Sequence, residues 1–178
     1  MLPRRTARRK CSEQEREWRG FCVDKNLEDD WLARLNGLNA FNLISICEGH
    51  YDQAETSKKS PHIKLRLKER LLPNVVRHWD EHKMAVLTEV SHLFQTGNTY
   101  VNLEMQCKLR LGTGRLTYQE SVVMRVHGRR ARTSGEIDAP TGDWFRQNVS
   151  HIEEIDSLIA RLWDESRQDD LQDDLKEG

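Results

Sequence analysis

Pro61-His62-Ile63-Lys64-Leu65-Arg66-Leu67-Lys68 alternates without a break: Ile63, Leu65 and Leu67 fall on one side, Lys64, Arg66 and Lys68 on the other. Successive side chains of an extended chain point to opposite faces, so this period of two predicts a strand with one buried face. Pro61 suits the strand start, where its missing N–H does no harm. A polar loop, residues 52–60, precedes it. Upstream of that loop, Leu43-Ile44-Ser45-Ile46-Cys47 forms another short strand running into the turn Glu48-Gly49-His50. Ile44 and Ile46 are expected to face the core, which leaves Ser45 and Cys47 on the side of the cations.

Downstream the period changes. Leu72, Val76, Trp79, Val86, Val90 and Leu93 recur at three- and four-residue intervals and predict an amphipathic helix over 72–94. From Tyr100 to Leu111 the alternation returns. Val101, Leu103, Met105, Cys107, Leu109 and Leu111 are expected inward, Asn102, Glu104, Gln106, Lys108 and Arg110 outward. Gly112-Thr113-Gly114 supplies hairpin chemistry. The returning strand carries Leu116, Tyr118, Val122, Met124 and Val126 inward and Gln119, Ser121, Arg125, His127 and Arg129 outward. Phe145, Val149, Ile152, Ile155, Ile159 and Leu162 then describe a last amphipathic helix.

Two helices are expected ahead of these elements. Ser12-Glu13-Gln14-Glu15 has the form of a capping box and opens one with Trp18, Phe21 and Cys22 as its apolar contacts. The other starts at Asn26, places Leu27, Trp31, Leu35 and Leu38 on one face, and ends near Gly37. The whole reads as an α+β fold. A mostly antiparallel four-stranded sheet is laid out in β-β-α-β-β-α order, with helices packed on one face and the N-terminal helices added.

At 178 residues the chain has the length of one domain. Hydrophobic residues make up 37% and charged residues 32%, and five tryptophans argue against disorder. No apolar run approaches the roughly 20 residues that cross a bilayer, so no membrane is expected. No secretory signal follows the basic N-terminus, which points to the cytoplasm and to reduced thiols at Cys11, Cys22, Cys47 and Cys107. Residues 1–11 carry Arg4, Arg5, Arg8, Arg9 and Lys10 without an acid and read as a disordered basic arm. Residues 12–166 form the domain, and 167–178 are an acidic tail.

The alternation gathers cations on the outward sheet face: Lys64, Arg66, Lys68, Lys108, Arg110, Arg125 and Arg129, opposed chiefly by Glu104. Like charges facing one another across strands destabilise a sheet, so the arrangement points to an anionic ligand, nucleic acid or a nucleotide. Lys64, Arg66, Lys108, Arg110, Arg125, His127 and Arg129 are its candidate contacts. Outward lysines and arginines that serve only solubility and edge protection are the plainer alternative. The ribonucleoprotein-type aromatic motif is absent. So are a phosphate-binding loop, a dinucleotide fingerprint and a serine nucleophile elbow.

Cys47, Glu48 and His50 put three reactive side chains in one turn. Cys47 and His50 form a C-x2-H pair, and with His62 they would supply thiolate and imidazole ligands to zinc. The same cysteine, activated by His50, His62 or the nearby arginines, would serve as a nucleophile, which makes Cys47, His50 and Glu48 the candidate catalytic residues, with no third orienting residue named by the sequence. A packed cysteine beside a glycine turn is the structural reading. Ser45-Ile46-Cys47-Glu48-Gly49-His50, followed by Ser60-Pro61-His62-Ile63, resembles the S-C-x-G-H turn and P-x-[IV] strand of small uncharacterised phage and bacterial proteins. It is also similar to the S-C-S-G-R turn of the tRNA wybutosine-synthesizing methyltransferase family, with the difference that an isoleucine separates Ser45 from Cys47. The resemblance spans residues 45–63 and implies an RNA-related role for the turn. Three functions stay open on the residues: anion binding, a small cysteine or zinc enzyme, and a non-catalytic module whose tryptophan-rich helices grip a partner or a second copy in a homodimer.

Overall fold

The computed structural model describes residues 15–49, 60–95, 99–112, 115–128 and 139–174, except for the side chains of 107–112, 115–120, 139–140 and 164–174. The N-terminal arm, His50 and Arg129 lie outside the described residues.

The described part of the chain begins with a hairpin, over residues where a helix is expected. Strands β1 (Glu15–Trp18) and β2 (Phe21–Asp24) pair antiparallel, with Trp18 opposite Phe21. Arg19 and Gly20 between them take φ of 45° and 86°. Two consecutive positive-φ residues make the turn whose twist matches a β-ribbon, and this overrides the capping-box signal. Arg19 lies over the Trp18 ring at 4.9 Å. Phe21 is exposed rather than inward. Cys22 is disulfide-bonded, its partner lying outside the described side chains, so the expectation of reduced thiols throughout fails there. Cys47 is a free thiol.

Helix α1 (Asp29–Asn36) follows as expected, with Asp29 and Asp30 favourably placed in its first turn. Trp31 and Leu35 on it are buried as expected, and so are Leu27 just before it and Leu38 just after it. Trp31 stacks on Phe145 with ring centroids 5.2 Å apart. Arg34 reaches across to Glu153 with bonds of 2.9 and 2.6 Å.

The main sheet contains β3 (Phe41–Cys47), β4 (His62–Leu67), β5 (Thr99–Gly112) and β6 (Arg115–Gly128) in the order β3-β4-β6-β5, every pair antiparallel. Helix α2 (Leu72–Leu93) carries the chain from β4 past β6 to the far edge, and α3 (Ala139–Asp174) packs against α2 and α1. Ile63, Leu65, Met124 and Val126 face Val75, Val86, Val149, Ile152 and Ile155 in one core. The fold is α+β, with helices on one face of an antiparallel four-stranded sheet and a separate two-stranded ribbon. Among the described residues no helix is long and apolar enough to cross a membrane.

Three inward assignments are corrected. Ile44 is 38% exposed because β3 carries a bulge between Leu43 and Ser45. The extra residue faces outward, and Ile46 beyond it still meets Ile63 on the core side. On α2, Val76 is 41% exposed and Val75 is buried in its place. Val75 and Val86 stand about three turns apart at 3.6 residues per turn, so they share a face that Val76 misses. His78 takes non-helical angles, and the helix is kinked there. Met105 is exposed as well: β4 pairs with β6 only from His62 to Arg66, so the far half of the β5–β6 hairpin runs on without it.

Candidate functional site

Residues directly opposite one another across strands share a face, so the register lays out the outer sheet surface in transverse rows. One row runs Cys47, His62, His127, Tyr100 from β3 to β5. The next runs Ser45, Lys64, Arg125, Asn102, and the one after it Asn42, Arg66, Val123, Glu104. The strand phasing expected from sequence holds at the end of β3: Cys47 is in register with the face of the cations, although it is buried there. Val123 is an apolar member of this surface and is 1% exposed.

Charge is concentrated in the middle of the face. Lys64 stands opposite Arg125, and Arg66 follows two residues along β4. Arg125 Nη1 donates to Glu104 at 3.1 Å. Glu104 also accepts from Asn102 at 2.6 Å and Gln106 at 2.9 Å. The Gln106 hydrogen bond, then Arg125, Asn102 and Lys64, hold its carboxyl below the usual range against the opposing effect of burial. The Arg66 Nε is buried without a hydrogen-bond partner among the described residues. Lys68 leaves this group, since its Nζ donates to the Leu38 carbonyl at 2.5 Å and ties β4 to the end of α1. Lys108 and Arg110 pair with Gln119 and Thr117 in the hairpin, their side chains outside the described set.

The imidazoles of His62 and His127 stand 5.8 Å apart between ring centroids, tilted by 36°. His62 Nδ1 lies 3.4 Å from the Ser60 carbonyl. Burial, reinforced by Arg125, pushes the His127 pKa below its ordinary value, which favours a neutral ring at pH 7.

Cys47 closes the row at the end of β3, 7% exposed, with the Gly49 N–H donating to its Sγ at 3.4 Å. Gly49 has φ of 82°, a conformation that suits glycine. Glu48 belongs to a different environment. Its N–H donates to Asp24 at 2.8 Å, and Asn26 donates to its carboxylate at 3.2 Å. Asp24, Asn26 and Glu48 thus anchor the turn to the N-terminal hairpin. Sequence reading missed these partners because they lie more than twenty residues upstream. It also named Tyr100 without placing it beside the histidines, since only strand order does that. Among the described residues no group of three or more His, Cys, Asp or Glu is arranged to hold a metal ion.

No protein-family model matches the chain, and no curated protein or solved structure is significantly similar to it. Function must be argued from the surface itself.

Proposed function

We propose that the outer sheet face binds a polyanion, nucleic acid or a nucleotide, with Lys64, Arg66 and Arg125 as the phosphate contacts. The supporting observation is the register that sets Lys64 directly against Arg125 and puts Arg66 two residues further on, with Glu104 as the acid in their midst. Like charges facing across strands cost stability, and a phosphate lying between them turns that cost into binding. Lys108, Arg110 and Arg129 extend the same reading along the hairpin and beyond it.

Fluorescence anisotropy with labelled RNA and DNA at low salt tests this. Affinity falls steeply as salt rises, and each of Lys64→Gln, Arg66→Gln and Arg125→Gln flattens the log–log salt slope by about 0.7–0.9. An absence of binding at low salt ends the reading.

A second reading is favoured by the pairing of Cys47 with His62 across β3 and β4. With the Gly49 N–H on the sulfur, His62 would act as the base of a cysteine nucleophile, Glu48 serving to position the turn. His50 and zinc belong to this alternative. Alkylation of Cys47 that proceeds well below the ordinary thiol range near 8.5 supports it, and an ordinary pH profile in a zinc-free protein removes it.

A further inference from the structure

The row beside the cations is a row of rings. His62, His127 and Tyr100 occupy adjacent strands at one level of the sheet. With strands about 4.8 Å apart, the row spans roughly 10 Å. Tyr100 lies on the edge strand and is 64% exposed. The pair Lys64 and Arg125 lies two residues further along β4 and β6, about 7 Å away at the rise of a strand. Aromatic rings flanked by cations at this spacing form the two halves of a single-strand site: π-faces for bases and positive charge for the backbone.

We propose that this face takes single-stranded polynucleotide, a base stacking on Tyr100 and His127 while the adjoining phosphates lie on Lys64 and Arg125. The inference rests on the polyanion reading above and narrows it. A duplex keeps its bases within its own stack and presents only phosphates to a sheet face, leaving Tyr100 without a partner. A neutral His127 at pH 7 offers a ring face where a charged one would only repeat the work of Arg125. Tyr100 sits at the sheet edge, where a splayed base enters without displacing another strand.

The test uses the full chain at low salt. Its probes are short labelled single strands of RNA and DNA, duplexes of the same sequence, inorganic polyphosphate and phosphatidylserine vesicles. Single strands bind more tightly than duplexes. Tyr100→Ala weakens the single strands by about 5- to 100-fold, the range expected for one lost base stack. It leaves polyphosphate affinity and the salt slope unchanged, and Tyr100→Trp restores binding. Tyr100 is exposed, so the substitution leaves the core intact. Equal binding of single strand, duplex and polyphosphate, indifferent to Tyr100→Ala, overturns the stacking site while leaving a polyanion surface. Failure of every phosphate-bearing probe overturns both. Binding of vesicles without oligonucleotides overturns the polynucleotide assignment.

Discussion

Asp156, 2% exposed within α3, accepts the backbone N–H of Ala40 at 2.8 Å where the chain enters β3. The same carboxylate accepts from Asn39 at 2.7 Å and Phe41 at 3.0 Å. It acts as a cap for a strand: three donors with no ladder partner are satisfied by one side chain on a packed helix. This contact fixes the entry of β3, and so the position from which Ser45 and Cys47 are presented.

Asp156→Ala should therefore destabilise the fold by about 2 kcal/mol, since the two buried donors of Ala40 and Phe41 are orphaned at roughly 1 kcal/mol or more each, while Asn39 at the exposed end can turn to water. Asp156→Asn should cost less. A urea melt with unchanged m-value measures both. A loss below about 0.5 kcal/mol for the alanine variant would show that water replaces the carboxylate.

Stability should fall on acidification through histidine titration. Burial, with Arg125, lowers the His127 pKa. Burial also lowers that of His151, against the opposing charge of Glu154. Above about 6.5 both rings are neutral in the folded and unfolded chain alike. Below it the unfolded chain binds protons first, so stability is lost as pH falls from about 6.5 towards the folded values. Comparing urea midpoints at pH 7 and 5.5, the double variant His127→Gln/His151→Gln should lose less than the parent. An equal loss would assign the effect to other groups.

Gly128→Ala should destabilise through overpacking. A Cβ there would stand 2.8 Å from Pro61 Cγ and 3.3 Å from Trp144 Cε2. Pro61 is held from below, its carbonyl accepting the Gly128 N–H at 2.8 Å, and so has little room to withdraw. About 1–3 kcal/mol is expected, read as a lower melting temperature. An unchanged melt would mean that the start of β4 yields freely.

Glu104→Gln should tighten polyanion binding. It frees Arg125 from its 3.1 Å partner and removes a negative charge from the face. The salt slope should steepen by up to about one unit. The Gln106 hydrogen bond, followed by Arg125, keeps this carboxyl ionised below the usual range, so mild acidification of the parent should not reproduce the effect. Weaker binding in the variant would place the ligand elsewhere.

Much of the fold was legible in local pattern. Ile63, Leu65 and Leu67 are buried as their alternation predicts, and so are Leu27, Trp31, Leu35 and Leu38. The misreadings share one cause. At Ser12–Glu15 a helical cap competes with a two-residue turn at Arg19-Gly20, and cross-strand pairing decides for the turn. At Ile44 a bulge opposite Lys64 shifts one residue outward. On α2 the packing partner selects Val75 over Val76. Each outcome depends on a neighbour remote in sequence.

Outside the bulge of β3, the sequence by itself determined which side chains of each strand lie together, because backbone pleating enforces a period of two. That was enough to put Lys64, Arg66, Arg125 and Cys47 on a common side. Which of these residues become neighbours was decided only by tertiary structure. The strand order β3-β4-β6-β5 brings His127 between His62 and Tyr100, and the carboxylate of Asp156 sets where β3 begins. Register comes from helix packing, hydrogen bonds and loop closure acting across more than a hundred residues, and these leave no periodic trace in the chain.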